Sequence, residues 1–416
     1  MELKRGYKYS EVGEIPENWD AIPLSRILEF KNGLNKAKQF FGVGTPIVNY
    51  MDVYENPGLW DQDIEGKVTV TPDEIRNYNV KKGDVFFTRT SETVDEIGIS
   101  SVMLEEIKNA VFSGFVLRGR PQNDLLELYY KQFCFSSKEV RKQITSTSSY
   151  TTRALTNGKF LSKVYIAVPR TKEEQTAIAT ALSDVDNLIH SLENLIVKKR
   201  NIKLGAMQEL FKPKGDWTVK KLGEIGKPYG GLSGKSKVDF NNGKYPYIPF
   251  LNVILNPIID SSYFDYVNIN SGENQNKALK GDLFFNGSSE TPEEVGMCSV
   301  LLEEVPILFL NSFCFGFRLN KELRNDGLFL SYFFRSNQGR KLFYSLAQGA
   351  TRYNLSKYNF QRMEISLPEP EQQIKIANIL LDIDTEIKSL NTKLEKYKMI
   401  KQGMMQKLLT GQIRLV

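Results

Sequence analysis

A chain of 416 residues is too long for one ordinary domain; at roughly 100–200 residues per domain it predicts about two to four. With 41% apolar and 25% charged residues it can bury sizeable cores, which excludes wholesale disorder. The 55 Lys and Arg against 49 Asp and Glu leave a formal charge of +6, which permits a nucleic-acid partner without requiring one.

A single histidine, His190, leaves almost nothing from which to build His-based metal sites, Ser-His-Asp triads or Cys-His dyads. Cys134, Cys298 and Cys314 lie far apart and fit neither a zinc site nor a disulfide framework, so no metal is expected and a reducing cytoplasm suits them. The first residues lack the apolar run of a signal peptide, and no window approaches the ~18 apolar residues of a membrane span. A cytoplasmic protein with no membrane partner is therefore expected.

In chain order, the first segment, 1–170, is aromatic and punctuated by glycine. It reads as mixed α and β, with Val85-Phe86-Phe87 a short strand entered through a Gly-Asp turn, 125–136 an aromatic-rich helix, and 164–168 a closing strand. The segment 171–212 changes texture to a long helix. Thr171-Lys172-Glu173-Glu174 is a capping box, and Ile178, Leu182, Val185, Ile189, Leu192 and Ile196 follow at steps of four and three. The segment 213–369 repeats the first, with a strand at Leu283-Phe284-Phe285, a helix over 328–336 and a closing strand over 363–367. The last segment, 370–416, repeats the helix, with Ile376, Leu380, Ile383, Ile387, Leu390, Leu394 and Tyr397 on the same spacing.

The repetition is literal. Lys82-Gly83-Asp84-Val85-Phe86-Phe87 returns as Lys280-Gly281-Asp282-Leu283-Phe284-Phe285, Ser91-Glu92-Thr93 as Ser289-Glu290-Thr291, and Trp19 as Trp217, each 198 positions on. A period this long is not a solenoid repeat. Each unit is a domain followed by a helix of about 38–40 residues, roughly 57–60 Å long. A single apolar stripe that long needs a cover, and the two helices, in identical register, suit one another as a coiled coil. Gly205 and Gly403 fall at equivalent places late in the helices, where a close approach or a kink would compensate for a cost of about 1 kcal/mol.

This order resembles the specificity subunit of type I restriction-modification systems. The likeness rests on the Gly-Asp strand entries, the Gln-Gly-Ala-Thr-Arg-Tyr-Asn-Leu run at 348–355, the Glu173-Glu174-Gln175 and Pro368 to Gln373 helix openings, and the closing Leu408-Leu409-Thr410-Gly411. It implies an α+β fold, with two similar mixed α/β target recognition domains separated and joined by two long helices that pair as an antiparallel coiled coil. It implies that each domain reads one half of a split double-stranded DNA site. The helices would set the half-site spacing and dock two modification (methyltransferase) subunits, with restriction/translocase subunits as further partners. The chain would be non-catalytic and hold no cofactor, S-adenosylmethionine and ATP belonging to the partner subunits. The first copy departs from the pattern at 149–155, a weak match to the Gly-Ala-Thr-Arg run. The alternative is a non-DNA adaptor holding two protein-binding domains on a coiled-coil strut.

Shared groups suit phosphate contact, while base-reading groups must differ where half-sites differ. Thr152, Arg153, Thr351 and Arg352, beside Tyr353, are shared and assigned to phosphate or sugar, against the alternative of loops held by Thr capping. The loops after the Gly-Asp strands diverge. There Arg89, next to Thr90, suits guanine and Asn286, near Ser288, suits adenine, unless both lie in solvated turns. Lys36, Lys38, Lys235 and Lys237 would add counterion release from the first loop of each copy, unless they are ordinary solvating surface lysines. The run Gly230-Gly231-Leu232-Ser233-Gly234-Lys235-Ser236 lacks the first glycine of a phosphate loop, which falls on Tyr229. His190 reads as a helix-face residue, and Phe86-Phe87 and Phe284-Phe285 as core.

Overall fold

The computed structural model describes residues 3–150, 153–240, 243–346 and 353–415. The chain divides into two compact units, Met1–Glu193 with Thr392–Val416, and Asn194–Asn391. The expected segment ends at 170, 212 and 369 fall one or two residues beyond the ends of the strand Tyr165–Pro169, the helix Lys172–Leu210 and the strand Glu364–Leu367. The compact units part inside the two long helices instead, because each half-helix packs on a different core.

In the first unit a five-stranded sheet runs in the order Leu28–Asn32, Val116–Pro121, Val85–Thr88, Ser100–Met103, Gly58–Leu59, antiparallel except for its last pair. The Gly-Asp entry to the central strand has a physical cause. Gly83 turns the chain at φ +89°, where a Cβ would be strained. Asp84, buried beyond it, accepts the Lys81 N–H at 2.8 Å and a bidentate pair of bonds from Arg120 at 2.8 and 2.7 Å. The closing strand Tyr165–Pro169 pairs antiparallel with Trp19–Pro23.

The second unit repeats this plan with a four-stranded sheet, Gly226–Gly230, Cys314–Leu319, Leu283–Asn286, Cys298–Val300. Gly281 turns at φ +88°, and Asp282 is held by Arg318 at 2.9 and 2.7 Å. Phe86, Phe87, Phe284 and Phe285 are fully buried, as expected of core strands. Phe285 lies within 5.0–5.8 Å of the rings of Phe315, Phe334, Phe343 and Phe360.

The helix expected over 328–336 forms as Gly327–Arg335, with the Asp326 side chain capping the Phe329 N–H. The helix expected over 125–136 does not form; only a 3-10 turn, Tyr130–Gln132, is present. There the Glu127 carboxylate accepts the Tyr130 N–H and Gln175 accepts the Glu127 N–H. The Glu127 side chain takes the Tyr130 N–H, a donor that a helix would satisfy with its own carbonyl four residues back.

The long helices are Lys172–Leu210 and Pro370–Leu408, 39 residues each. Each is anchored by a buried glutamine. Gln175 donates to Pro169 O and Leu125 O, both at 2.9 Å. Gln373 donates to Pro368 O at 2.8 Å and accepts the Asp326 N–H at 2.9 Å. Every expected seam position is buried or half-buried: Ile178, Leu182, Val185, Ile189, Leu192, Ile196, Ile376, Leu380, Ile383, Ile387, Leu390, Leu394 and Tyr397.

The pairing is antiparallel within each unit. In the first, Asp186 meets Lys401 at 2.5 Å and Glu193 meets Lys398 at 3.1 Å. In the second, Lys199 meets Glu386 at 2.7 Å and Lys203 meets Asp384 at 2.6 Å. Leu408 and Leu409 close the first core beside Ile178 and Leu182, while Met207 and Phe211 close the second beside Ile376 and Leu380. Each globular fold is thus sealed by the start of its own helix and the end of the other. A Cβ added at Gly205 or Gly403 would meet nothing within 4 Å, so neither glycine serves a close approach inside the chain, and both helices run on unbroken.

Candidate nucleic-acid interface

The central strand of the first unit, Val85–Thr88, exits into a short ribbon. Thr90–Ser91 pairs with Ala154–Leu155, which pairs with Ser149–Tyr150. Arg89 sits at the joint and is half-buried. Its N–H donates to Phe115 O at 3.1 Å, and its guanidinium reaches Gly114 O at 3.3 Å. Thr90 is half-buried and Arg153 is exposed, and both line one cavity of about 440 Å³ with Tyr50, Met51, Tyr54 and Phe115. The cavity floor carries Glu96, which accepts from Ser91 at 2.8 Å and Tyr54 at 3.0 Å. Those hydroxyls, Ser91 first, hold its carboxyl below its ordinary range.

The second unit builds the same ribbon from Ser288–Ser289 and Tyr353–Asn354. Here the structure corrects the expectation for Asn286. Its side chain is fully buried, donates to Glu294 O at 2.8 Å and Ser288 O at 3.3 Å, and accepts the Met297 N–H at 2.6 Å. Thr88, 198 positions earlier, staples the first loop in the same way: it donates to Glu96 O and accepts the Ile99 N–H. Asn286 is a loop staple with nothing left to offer adenine. The equivalent of Arg89 is Gly287, so the cation of the first loop has no counterpart in the second. Ser288 is buried and Tyr353 half-buried. Thr152, Thr351 and Arg352 lie outside the described residues.

The lysines divide in two. Lys36 is paired with Glu74 at 2.9 Å and lies over the Phe40 ring, while the side chain of the half-buried Lys235 is covered and paired with Glu273 at 2.5 Å. Both were expected to serve a phosphate backbone, but their charges are already spent on carboxylates. The Lys235 ammonium, with the Asn270 N–H, pulls the Glu273 carboxyl down to about 2. Lys38 and Lys237 are exposed.

Sequence reading missed an apolar component. Phe115 and Phe313 are 62% and 55% exposed, and Met51 and Leu251 are 50% and 49% exposed. The two phenylalanines are 198 positions apart, a signal present in the repeat. His190 is exposed on its helix as expected. Burial pushes the thiols of Cys134, Cys298 and Cys314 well above their ordinary range, which disfavours the thiolate. Among the described residues no cluster of His, Cys, Asp and Glu suits a metal, and no helix is long and apolar enough to cross a membrane.

The doubled domain with its paired helices defines a class. Residues 16–199 and 214–398 each match the family described as the type I restriction modification DNA specificity domain, and the chain belongs to that family. It is 27% identical to the putative type I restriction enzyme MjaX specificity subunit of Methanocaldococcus jannaschii, over 99% of this chain and 97% of that protein. It is 22% identical to the MjaIX specificity subunit of the same organism, over 98% and 96%. Among solved structures, the type I S subunit from M. genitalium superposes with a TM-score of 0.55 at 15% identity, covering 98% of both chains. The HsdS subunit from Thermoanaerobacter tengcongensis gives 0.53 at 16% identity, over 96% of this chain and 98% of that one. These likenesses carry the fold.

Proposed function

We infer that this chain acts as the DNA specificity subunit of a type I restriction-modification enzyme, each unit reading one half of a bipartite site. One observation carries the reading. The same ribbon is built twice on the same scaffold, yet the residue at its joint is arginine in one copy and glycine in the other. A shared scaffold with a divergent contact is what two unlike half-sites require.

The paired helices set the spacing of the half-sites and present their outer faces to two modification subunits. Restriction/translocase subunits complete the assembly, and the work is cytoplasmic. This chain contributes recognition only; S-adenosylmethionine and ATP are used by the partner subunits. The test is selection of duplexes from a random pool by the chain assembled with its modification subunits. Recovered sequences should share two short elements separated by a fixed, sequence-free gap. A pool that stays random after selection would refute the reading.

A further inference from the structure

Exposing a large aromatic side chain forfeits the free energy of burying it, and this chain does so twice at the same place. Phe115 and Phe313 stand on short turns that leave the backbone little freedom. The Phe115 N–H donates to Ser113 Oγ at 3.3 Å, and the Phe313 N–H to Asn311 Oδ1 at 2.9 Å. Each phenylalanine carbonyl is bonded to the joint of its ribbon, Phe115 O to the Arg89 N–H at 3.1 Å and Phe313 O to the Gly287 N–H at 2.9 Å. A second exposed apolar residue stands nearby in each copy: Met51 lines the same cavity as Phe115, and Leu251 follows Phe250, whose ring lies edge-on to Phe313 at 6.5 Å. Rigid, exposed aromatics are thus fixed beside the loops that differ between the copies.

A group common to both units cannot carry the difference between two half-sites. An aromatic ring has another use on DNA: every base has a π-face, so stacking tolerates any sequence. Apolar side chains pushed between base steps unstack them and bend the duplex. We propose that Phe115 and Phe313 are paired wedges, each stacking into one base step of its own half-site and opening the duplex there, while the divergent loops read the bases alongside. Met51 and Leu251 flank the opened step. The exposed cation Arg153, which lines the same cavity as Phe115, is available to the phosphates nearby in the first unit.

This proposal rests on the DNA reading above, and its test separates the two. A duplex recovered by selection is labelled with 2-aminopurine at one position at a time and titrated with the assembled complex. The wild type should bind it in preference to a scrambled duplex and raise fluorescence at one step in each half-site. F115A should abolish the rise in one half-site and F313A in the other, each weakening binding about ten- to hundredfold, as loss of one stacked base does. F115W should restore the rise. Both residues are exposed, so thermal melting of the variants should match the wild type. Preferential binding with no fluorescence change anywhere, or with a change that F115A and F313A leave intact, would overturn the wedges while sparing the DNA reading. Equal binding of selected and scrambled duplexes would overturn both.

Discussion

Arg414 closes on Glu174, donating from Nη2 to Oε2 at 2.8 Å and from Nε to the other carboxylate oxygen. The Trp19 indole N–H donates to the same carboxylate at 3.1 Å. The Glu174 side chain is 1% exposed, and that guanidinium is the cation paired with it. The second copy has Asp216 and Gln372 at the corresponding positions, and the buried Trp217 indole N–H has no partner among the described residues. The clip belongs to the unit that recruits the end of the chain, where Tyr7 also donates to Gly411 O at 2.8 Å.

R414A strands a buried carboxylate, and breaking such a pair costs about 3–5 kcal/mol. The variant should therefore unfold at markedly lower urea. R414A/E174Q should recover most of the loss, because the neutral amide matches what the second copy carries at 372. Equal midpoints for R414A and wild type would show that the clip holds nothing.

The Arg89 and Asn286 substitutions should fail in different ways. R89A is expected to leave stability nearly unchanged and relax base preference at one position by about 1–3 kcal/mol. N286A removes a buried group that joins residues eight and eleven positions further along. It should lower stability by about 1–3 kcal/mol and weaken binding without redirecting it. Selected-duplex sequencing alongside thermal melting separates the two.

Among the lysines, K38A and K237A should each reduce the slope of log binding constant against log salt by about one. K36A and K235A should leave that slope alone, since their ammonium groups face Glu74 and Glu273. The Glu273 carboxyl is depressed from 4.5 to about 2, so its contribution is present above the unfolded value and is lost as pH falls through about 2. K235M should flatten the dependence of stability on pH between those values, as measured by unfolding at stepped acid pH.

Glycine in the exposed interior of a helix costs about 1 kcal/mol relative to alanine, and nothing lies near Gly205 or Gly403 inside the chain. G205A/G403A should therefore raise the stability of the chain alone. If the modification subunits approach the helices closely there, the same variant should assemble with them less tightly. Melting and pull-down measured together test both halves.

How much was legible in the sequence follows from how local each signal is. The seam from Ile178 to Tyr397 was readable because steps of four and three are fixed by helix geometry, whatever packs outside. The Gly-Asp entries were readable because a positive φ selects glycine at 83 and 281. Asn286 misled because its partners, Glu294 O and the Met297 N–H, come from the far side of a loop that no periodicity describes. Phe115 and Phe313 went unnoticed because a phenylalanine after a two-residue turn reads the same whether it points into a core or out of it. The unformed helix at 125–136 shows propensity overridden by Glu127 and Gln175, a contact 48 positions apart.

The most direct test of two units reading a split site across a helical spacer is to map methylated DNA in cells expressing this chain with its modification subunits. The wild type should mark a bipartite motif. A variant with one heptad inserted in each helix, between 193 and 194 and between 391 and 392, should mark the same two half-sites across a longer gap. A contiguous motif in the wild type, or an active variant whose gap is unchanged, would contradict the account.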